Sequence, residues 1–227
     1  MAAHGSTFSP AVEDYAKAIY ALQARAGDAV ATTALAERLG VTPASASGMV
    51  RKLDELGLVT HVPYRGVRLT TEGVRLALEV LRHHRLLELY LTETLGVPWD
   101  RVHDEAEVLE HVLSEDLEAL IAAKLGDPTH DPHGDPIPSA DLVIEEEKTE
   151  SLASLEPGTG GTFVRVSDSD PDMLRYLAER GIAPGDELQV HDKQPFGGPL
   201  FVAFGKRVHV LGGSLADAMR VRVRRAA

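Results

Sequence analysis

The sequence predicts an α+β chain of several domains: an N-terminal winged helix-turn-helix, a helical domain and a small C-terminal β-barrel. Three observations predict it. Two helical segments flank a tight turn at Gly40 and are followed by two short strands, which is the winged helix-turn-helix pattern. A tract of helical periodicity with a leucine surplus then runs for some fifty residues. Beyond residue 150, short β-rich runs separated by glycine turns take over. The boundaries expected are 1–73, 74–140, a linker over 141–150, and 151–227.

In residues 11–26, Val12, Ala16, Ile19, Tyr20 and Leu22 recur at helical spacing, with Pro10 at the start and Gly27 at the end. Thr32 or Thr33 can cap a short helix over Ala34–Leu39, closed by Gly40. Pro43 suits the first position of a longer helix to about Leu56, stopped by Gly57. Residues 58–62 and 67–70 read as a hairpin around Pro63–Gly66, the wing. A long helix is expected from Glu72 to Thr94, broken at Gly96–Pro98, and another from Asp104 to Leu125. Leu78, Leu81, Leu86, Leu87, Leu89 and Leu91 exceed what one buried stripe needs; a dimer interface or packing on the first helix would use them. Residues 126–140 hold four prolines and read as a rigid connection. There His130, Asp131, His133 and Asp135 are either a metal site or ordinary linker polarity.

Strands are expected at 162–166, 187–191, 200–204, 206–210 and 219–224, with a helix over 171–180. Arg220, Arg222, Arg224 and Arg225 alternate along the last strand; they would touch nucleic acid or, as a solvated edge, resist aggregation.

At 227 residues, 44% hydrophobic and 26% charged, the composition is that of an ordinary soluble globular protein. No apolar run spans a bilayer, and Met1–Pro10 has neither the basic region nor the apolar core of a signal peptide. A cytoplasmic location without membrane contact is therefore expected. No cysteine is present, so any metal must be held by oxygen and nitrogen. The net charge of −12 is concentrated in the middle: residues 73–150 carry 6 basic and 19 acidic side chains. The flanking parts are near neutral, with 7 of each sign in 1–72 and 10 basic against 9 acidic in 151–227.

The chemistry-bearing cluster is Glu107-Val-Leu-Glu110-His111, three donors at i, i+3 and i+4, which share one face of a helix. Carboxylate and imidazole together suit Mn, Fe, Co or Zn. Two neighbouring carboxylates repel unless they are solvated or share a cation. His84 and Glu88 form a second i, i+4 pair, and His103 lies one turn before Glu107. A lone histidine is more often an interface or core residue than a ligand.

These stretches, with Tyr15-Ala-Lys-Ala-Ile-Tyr20, Leu69-Thr-Thr-Glu-Gly73 and Gly134-Asp-Pro-Ile-Pro138, resemble the diphtheria toxin repressor family of metal-dependent bacterial regulators. The resemblance covers nearly the whole chain and implies a helical dimerisation domain and an SH3-like C-terminal barrel. It implies a primary metal site of Asp14, Glu107, Glu110 and His111. The family's iron-sensing branch has Met and Cys where Asp14 and Glu107 stand; the manganese-sensing branch has the carboxylates. It implies a second site of His84, Glu88, His103 and, from the barrel, Asp170, with a family Gln position falling on Met173. The paired-metal site of short manganese regulators has Glu where this chain has Lys17. A manganese-type primary site in an iron-regulator architecture results.

The expectation is a homodimeric regulator activated by Mn(II) or Fe(II), with two metal sites per chain. It would bind a palindromic double-stranded operator, repress metal-uptake genes and take no small organic substrate. Thr42, Ser45 and Ser47 would reach bases or phosphates, Arg51 and Lys52 phosphates, and Arg65 and Arg68 the DNA along the wing. Ala44 and Gly48 offer no polar readout, which leaves apolar contact and DNA shape. One rival is an iron-responsive regulator with broad divalent activation. Another is a zinc peptidase, since Glu107-x-x-Glu110-His111 resembles His-x-x-Glu-His, but Glu replaces the first His and no nucleophile accompanies it. A third is a protein-binding module that holds no metal.

Overall fold

The computed structural model describes residues 8–26, 29–62 and 64–224. Gly27, Pro63, Arg225 and the first seven residues lie outside them. The chain forms two compact units. The first is built from residues 1–87, 107–127 and 138–143, the second from 88–106, 128–137 and 144–227.

In the first unit, α1 (Pro10–Ala26), α2 (Thr32–Arg38) and α3 (Pro43–Glu55) precede β1 (Val59–Val62) and β2 (Gly66–Leu69). Ile19, Leu35, Leu53, Leu58 and Val67 are fully enclosed in their common core. Thr42 caps α3 by accepting the Ser45 amide, and Pro43 fills the first helical position. The start of α2 differs from expectation: Ala31 is the N-cap, with no side-chain cap bond from Thr32 or Thr33. The wing is an antiparallel pair in the register Val59↔Leu69. Gly66, at φ +113°, sits against Val30; a Cβ there would come within 1.9 Å of the Val30 carbonyl oxygen.

Helix α4 (Thr71–Leu95) is a single 25-residue element. The long helix expected over 104–125 is two: α5 (Val102–Leu109) and α6 (Glu115–Lys124). Ser114 explains the break, since its hydroxyl caps α6 by accepting the Leu117 amide. Intrachain packing takes most of the α4 leucines, with Leu86, Leu87, Leu89 and Leu91 buried. The exposed apolar surface lies instead on α5, α6 and their connection, at Val108, Leu109, Val112, Leu117 and Leu120.

The second unit holds an antiparallel sheet of six strands among the described residues, in the order β3-β8-β4-β5-β6-β7. These are β3 (Glu150–Ser151), β4 (Gly160–Val166), β5 (Glu187–Lys193), β6 (Leu200–Phe204), β7 (Arg207–Leu211) and β8 (Met219–Val223). Helix α7 (Pro171–Ala178) matches expectation; β3, a 3-10 turn at Leu152–Ser154 and α8 (Gly213–Ala218) were not anticipated. Strand β8 is interior, not an edge. Its arginines are paired: Arg220 donates to the Thr149 carbonyl, Arg222 to Glu147 and Arg224 to Glu187. The proline-rich segment packs on β4: the Val166 amide donates to the His133 carbonyl, and a Cβ on Gly134 would meet Val164 O at 1.8 Å. No helix among the described residues is long and apolar enough to cross a membrane.

Candidate metal centre

Among the described residues, metal-type ligands gather in several overlapping groups. In the first unit, α1 brings Asp14 to the end of α5. Glu107 lies on the last turn of α5, but Glu110 and His111 lie in the turn beyond it, so the expected single helical face is replaced by a helix end. Asp14, Glu110 and His111 offer ligand atoms within 4.8 Å of one another. Asp14 Oδ1 stands 3.0 Å from His111 Nε2. That oxygen is buried without a hydrogen-bond partner, an arrangement a cation would satisfy. Burial pushes the Asp14 carboxyl upward, against the pull of His111 and Lys17.

Two residues that sequence reasoning did not assign to the site complete its surroundings. Glu13, buried on α1, contacts His111 Nδ1 through Oε2. A carboxylate there accepts a hydrogen bond from Nδ1–H and leaves Nε2 facing Asp14 for a metal, the arrangement that orients metal-binding histidines. Lys17 donates from Nζ to Glu107 Oε1 and to Glu110 Oε1, each at 2.6 Å. Burial works against its charge, but Glu110 and Glu107 outweigh that and raise the ammonium's pKa. His84, expected at the second site, brings Nδ1 to 2.5 Å from Glu110 Oε2 and 3.8 Å from Glu107 Oε1, and so stands beside this cluster as well as among the ligand-type residues Glu88, His103 and Asp168. The His83 ring fixes the turn itself: Nδ1 lies 3.1 Å from the Glu110 carbonyl and Nε2 lies 2.9 Å from Glu118, which also binds Arg82.

In the second unit, Glu88, His103 and Asp168 converge. His103 Nδ1 lies 3.3 Å from Glu88 Oε1 and 3.3 Å from Asp168 Oδ2. The carboxylate expected here was Asp170. That residue instead caps α7, accepting from the Asp172 and Met173 amides, and Asp168 takes the place two residues earlier. Glu88, Asp131 and His133 form an adjoining buried group. His133 Nε2 lies 2.8 Å from the Trp99 carbonyl, to which it donates a hydrogen bond, while Trp99 stacks on the ring at 5.8 Å between centroids. Nδ1 is thereby left 3.7 Å from Glu88 Oε2, buried and without a hydrogen-bond partner. Asp168 and Glu88, by hydrogen bonds to His103, raise its pKa to about 10. For His133, burial lowers and Glu88 more than restores the basicity, which rises to about 9. His103 pulls the Asp168 carboxyl down despite its burial. Asp131 and His133 lie in the segment whose polarity the sequence leaves open between a metal site and an ordinary linker; their alternation with Asp135 and proline is the available signal.

Comparison with known proteins assigns these clusters a context. Residues 7–67 match the family description "Iron dependent repressor, N-terminal DNA binding domain" and residues 70–139 its "metal binding and dimerisation domain". Residues 150–223 match the FeoA domain. The iron-dependent repressor IdeR of Mycobacterium leprae is 32% identical over 222 residues, covering 92% of this chain and 95% of that protein. The chain belongs to the iron-dependent repressor family. The diphtheria toxin repressor of Corynebacterium diphtheriae, another relative, is 36% identical over 192 residues, 80% of this chain and 84% of its own. A solved structure described as a manganese-dependent transcriptional repressor in complex with manganese superposes with a TM-score of 0.85. It is 46% identical over 92% of this chain and 98% of its own. As a member of the iron-dependent repressor family, the chain is a metal-dependent, DNA-binding transcriptional repressor and not an enzyme. Its fold is the family's: a DNA-binding domain, a helical dimerisation domain and an SH3-like FeoA domain.

Proposed function

We propose that this repressor responds chiefly to Mn(II), carries two metal sites per chain, and as a homodimer on a palindromic operator shuts off metal-uptake genes. The observation that carries the reading is the meeting of Asp14, on the first helix of the DNA-binding domain, with His111 and Glu110 at the end of α5. Asp14, Glu107, Glu110 and His111 form the primary ligand set, all oxygen and nitrogen, which favours Mn(II) over softer ions on donor type. A divalent ion there would supply the positive charge that three carboxylates share. The chain's own residues do the coupling: Asp14 ties α1 to the α5 turn, and α1 packs on the α2–α3 pair, so ligation bears on the recognition helix.

The second site is assigned to Glu88, His103 and Asp168, with His133 joining through Nδ1. The exposed apolar side chains of α5 and α6 are assigned to the dimer interface, since a monomer gains nothing by leaving Val108, Val112 and Leu120 in water.

For DNA, α3 turns Ala46, Val50 and Leu53 inward and leaves Ser45, Arg51 and Lys52 exposed. Thr42 and Ser45 bond each other and Ser47 bonds the Pro43 carbonyl, so their hydroxyls reach DNA with acceptor positions still open. Arg65 and Arg68 are exposed on the wing. Arg51→Ala should weaken operator and non-specific DNA alike and flatten the log–log salt dependence by roughly one unit. Fluorescence anisotropy across a salt series measures it, and a loss confined to the operator would contradict it.

The His103 and His133 pKa values have a consequence for pH. Both rings are charged near pH 7 in the metal-free protein, and coordination requires them neutral. Loading the second site should therefore release roughly two protons, and its affinity should fall as pH falls. Calorimetry in buffers of different ionisation enthalpy counts them, with His103→Ala releasing about one fewer. The function itself is tested by titrating Mn(II) against operator affinity: the proposal requires DNA binding to rise with metal, and Fe(II) in parallel decides the preference.

A further inference from the structure

We propose that the second site is a two-ion centre: Glu88 bridges, an outer divalent ion takes His103 and Asp168, and an inner one takes Asp131 and His133. The inference rests on the second-site reading above and deepens it. All five residues belong to the second unit. Two ligand-type groups share Glu88 there, one containing His103 and Asp168, the other Asp131 and His133. Glu88 Oε1 lies 3.3 Å from His103 Nδ1, and Glu88 Oε2 lies 3.7 Å from His133 Nδ1. The two oxygens of one carboxylate thus face two different imidazoles, as a bridge between ions roughly 3.5–4 Å apart requires.

The two positions differ in depth. On the outer side, the His103 side chain is 41% and the Asp168 side chain 34% exposed, so water reaches an ion there. The inner ligands Glu88, Asp131 and His133 are all buried, His133 completely. A buried polar atom is ordinarily hydrogen-bonded, yet His133 Nδ1 has no such partner where it faces Glu88. The ring is set for ligation, because Nε2 donates to the Trp99 carbonyl and Nδ1 is the atom offered. Asp131 is fixed as well, its Oδ1 accepting from the His133 and Asp135 amides. Two carboxylates and an imidazole suit a first-row divalent ion. With both imidazoles neutral, as ligation requires, Glu88, Asp131 and Asp168 carry one more charge than a single dication offsets. The inner ion would tie the proline-rich segment to α4 through Glu88.

The test uses Mn(II) and the full chain. Native mass spectrometry counts ions per chain at the concentration that just saturates the parent. His103→Ala and His133→Ala should each remove one ion, and the double variant two. In a Glu110→Gln background, which disables the primary site, electron paramagnetic resonance should show an exchange-coupled Mn(II) pair. Either histidine variant should convert that signal to an isolated ion. Trp99, the chain's one tryptophan, stacks on His133 and so stands beside the inner ion. Paramagnetic quenching of its fluorescence by Mn(II), absent with Zn(II), should largely survive in His103→Ala and largely vanish in His133→Ala. Circular dichroism and size-exclusion chromatography establish folding. Asp131→Asn, which keeps the acceptor for the two amides, replaces His133→Ala should that variant fail to fold. A double variant that loses only one ion, or a Glu110→Gln chain without a coupled pair, makes the second site a single-ion centre and overturns the inference. Ion counts unchanged in both histidine variants overturn the second-site reading itself.

Discussion

Glu110→Gln should abolish metal-stimulated DNA binding while leaving a folded dimer. The carboxylate meets Lys17 Nζ at 2.6 Å and His84 Nδ1 at 2.5 Å, and lies 3.7 Å from His111 Nε2. It is 1% exposed, so no water takes over its role. The amide keeps the shape, but it removes the charge that a divalent ion and Lys17 both require. The loss should exceed the roughly 10–100-fold that follows from removing a partner outside the ligand set, because Glu110 belongs to both groups of the cluster. Gel shifts with and without Mn(II), beside size-exclusion chromatography, measure it. Retained metal dependence would remove Glu110 from the ligand set.

Several features of this molecule were legible in the sequence because they are local. Pro43 and Gly57 bracket α3 as the helix-boundary rules require, and the wing strands fall within one residue of their expected positions. The gathering of Glu107, Glu110 and His111 was legible because they lie within five residues of one another. What failed to show depends on tertiary placement. Ser114 is an unremarkable residue in an apparently continuous helical pattern until its hydroxyl caps α6 and moves Glu110 and His111 into a turn. Glu13 looks like the ordinary acidic residue of a first helical turn, yet it is buried against His111. His133 reads as loop polarity or a ligand alike until the proline-rich segment packs on β4 and its Nε2 donates to the Trp99 carbonyl. Asp168 and Asp170 differ by two residues in one loop, and which caps α7 is decided by backbone geometry that composition does not encode. The arginines of β8 looked free because their partners, Glu147 and Glu187, come from distant parts of the chain.

Asp14→Ala should separate metal binding from DNA binding, which no other single change in the cluster is expected to do. Glu107, Glu110 and His111 all come from the end of α5, so three donors remain to hold an ion. Asp14 alone among the proposed ligands belongs to the DNA-binding domain. Its loss removes the bond through which an occupied site holds α1, and with α1 the helix pair packed on it. Lys17 still reaches Glu107 and Glu110 from the same helix, so α1 stays docked and the fold survives. The remaining contact is the same with and without metal, however, and an interaction that does not distinguish two states shifts no equilibrium between them. Calorimetry should therefore find Mn(II) binding weakened, by roughly 10–100-fold, but present. Fluorescence anisotropy on the same variant should find operator affinity flat across the metal titration. Asp14→Met with Glu107→Cys, which restores a donor at both positions with softer atoms, should recover the coupling with Co(II) or Fe(II) in preference to Mn(II). Full Mn(II)-stimulated DNA binding by Asp14→Ala would show that the signal leaves the site by another route, through α4 rather than α1.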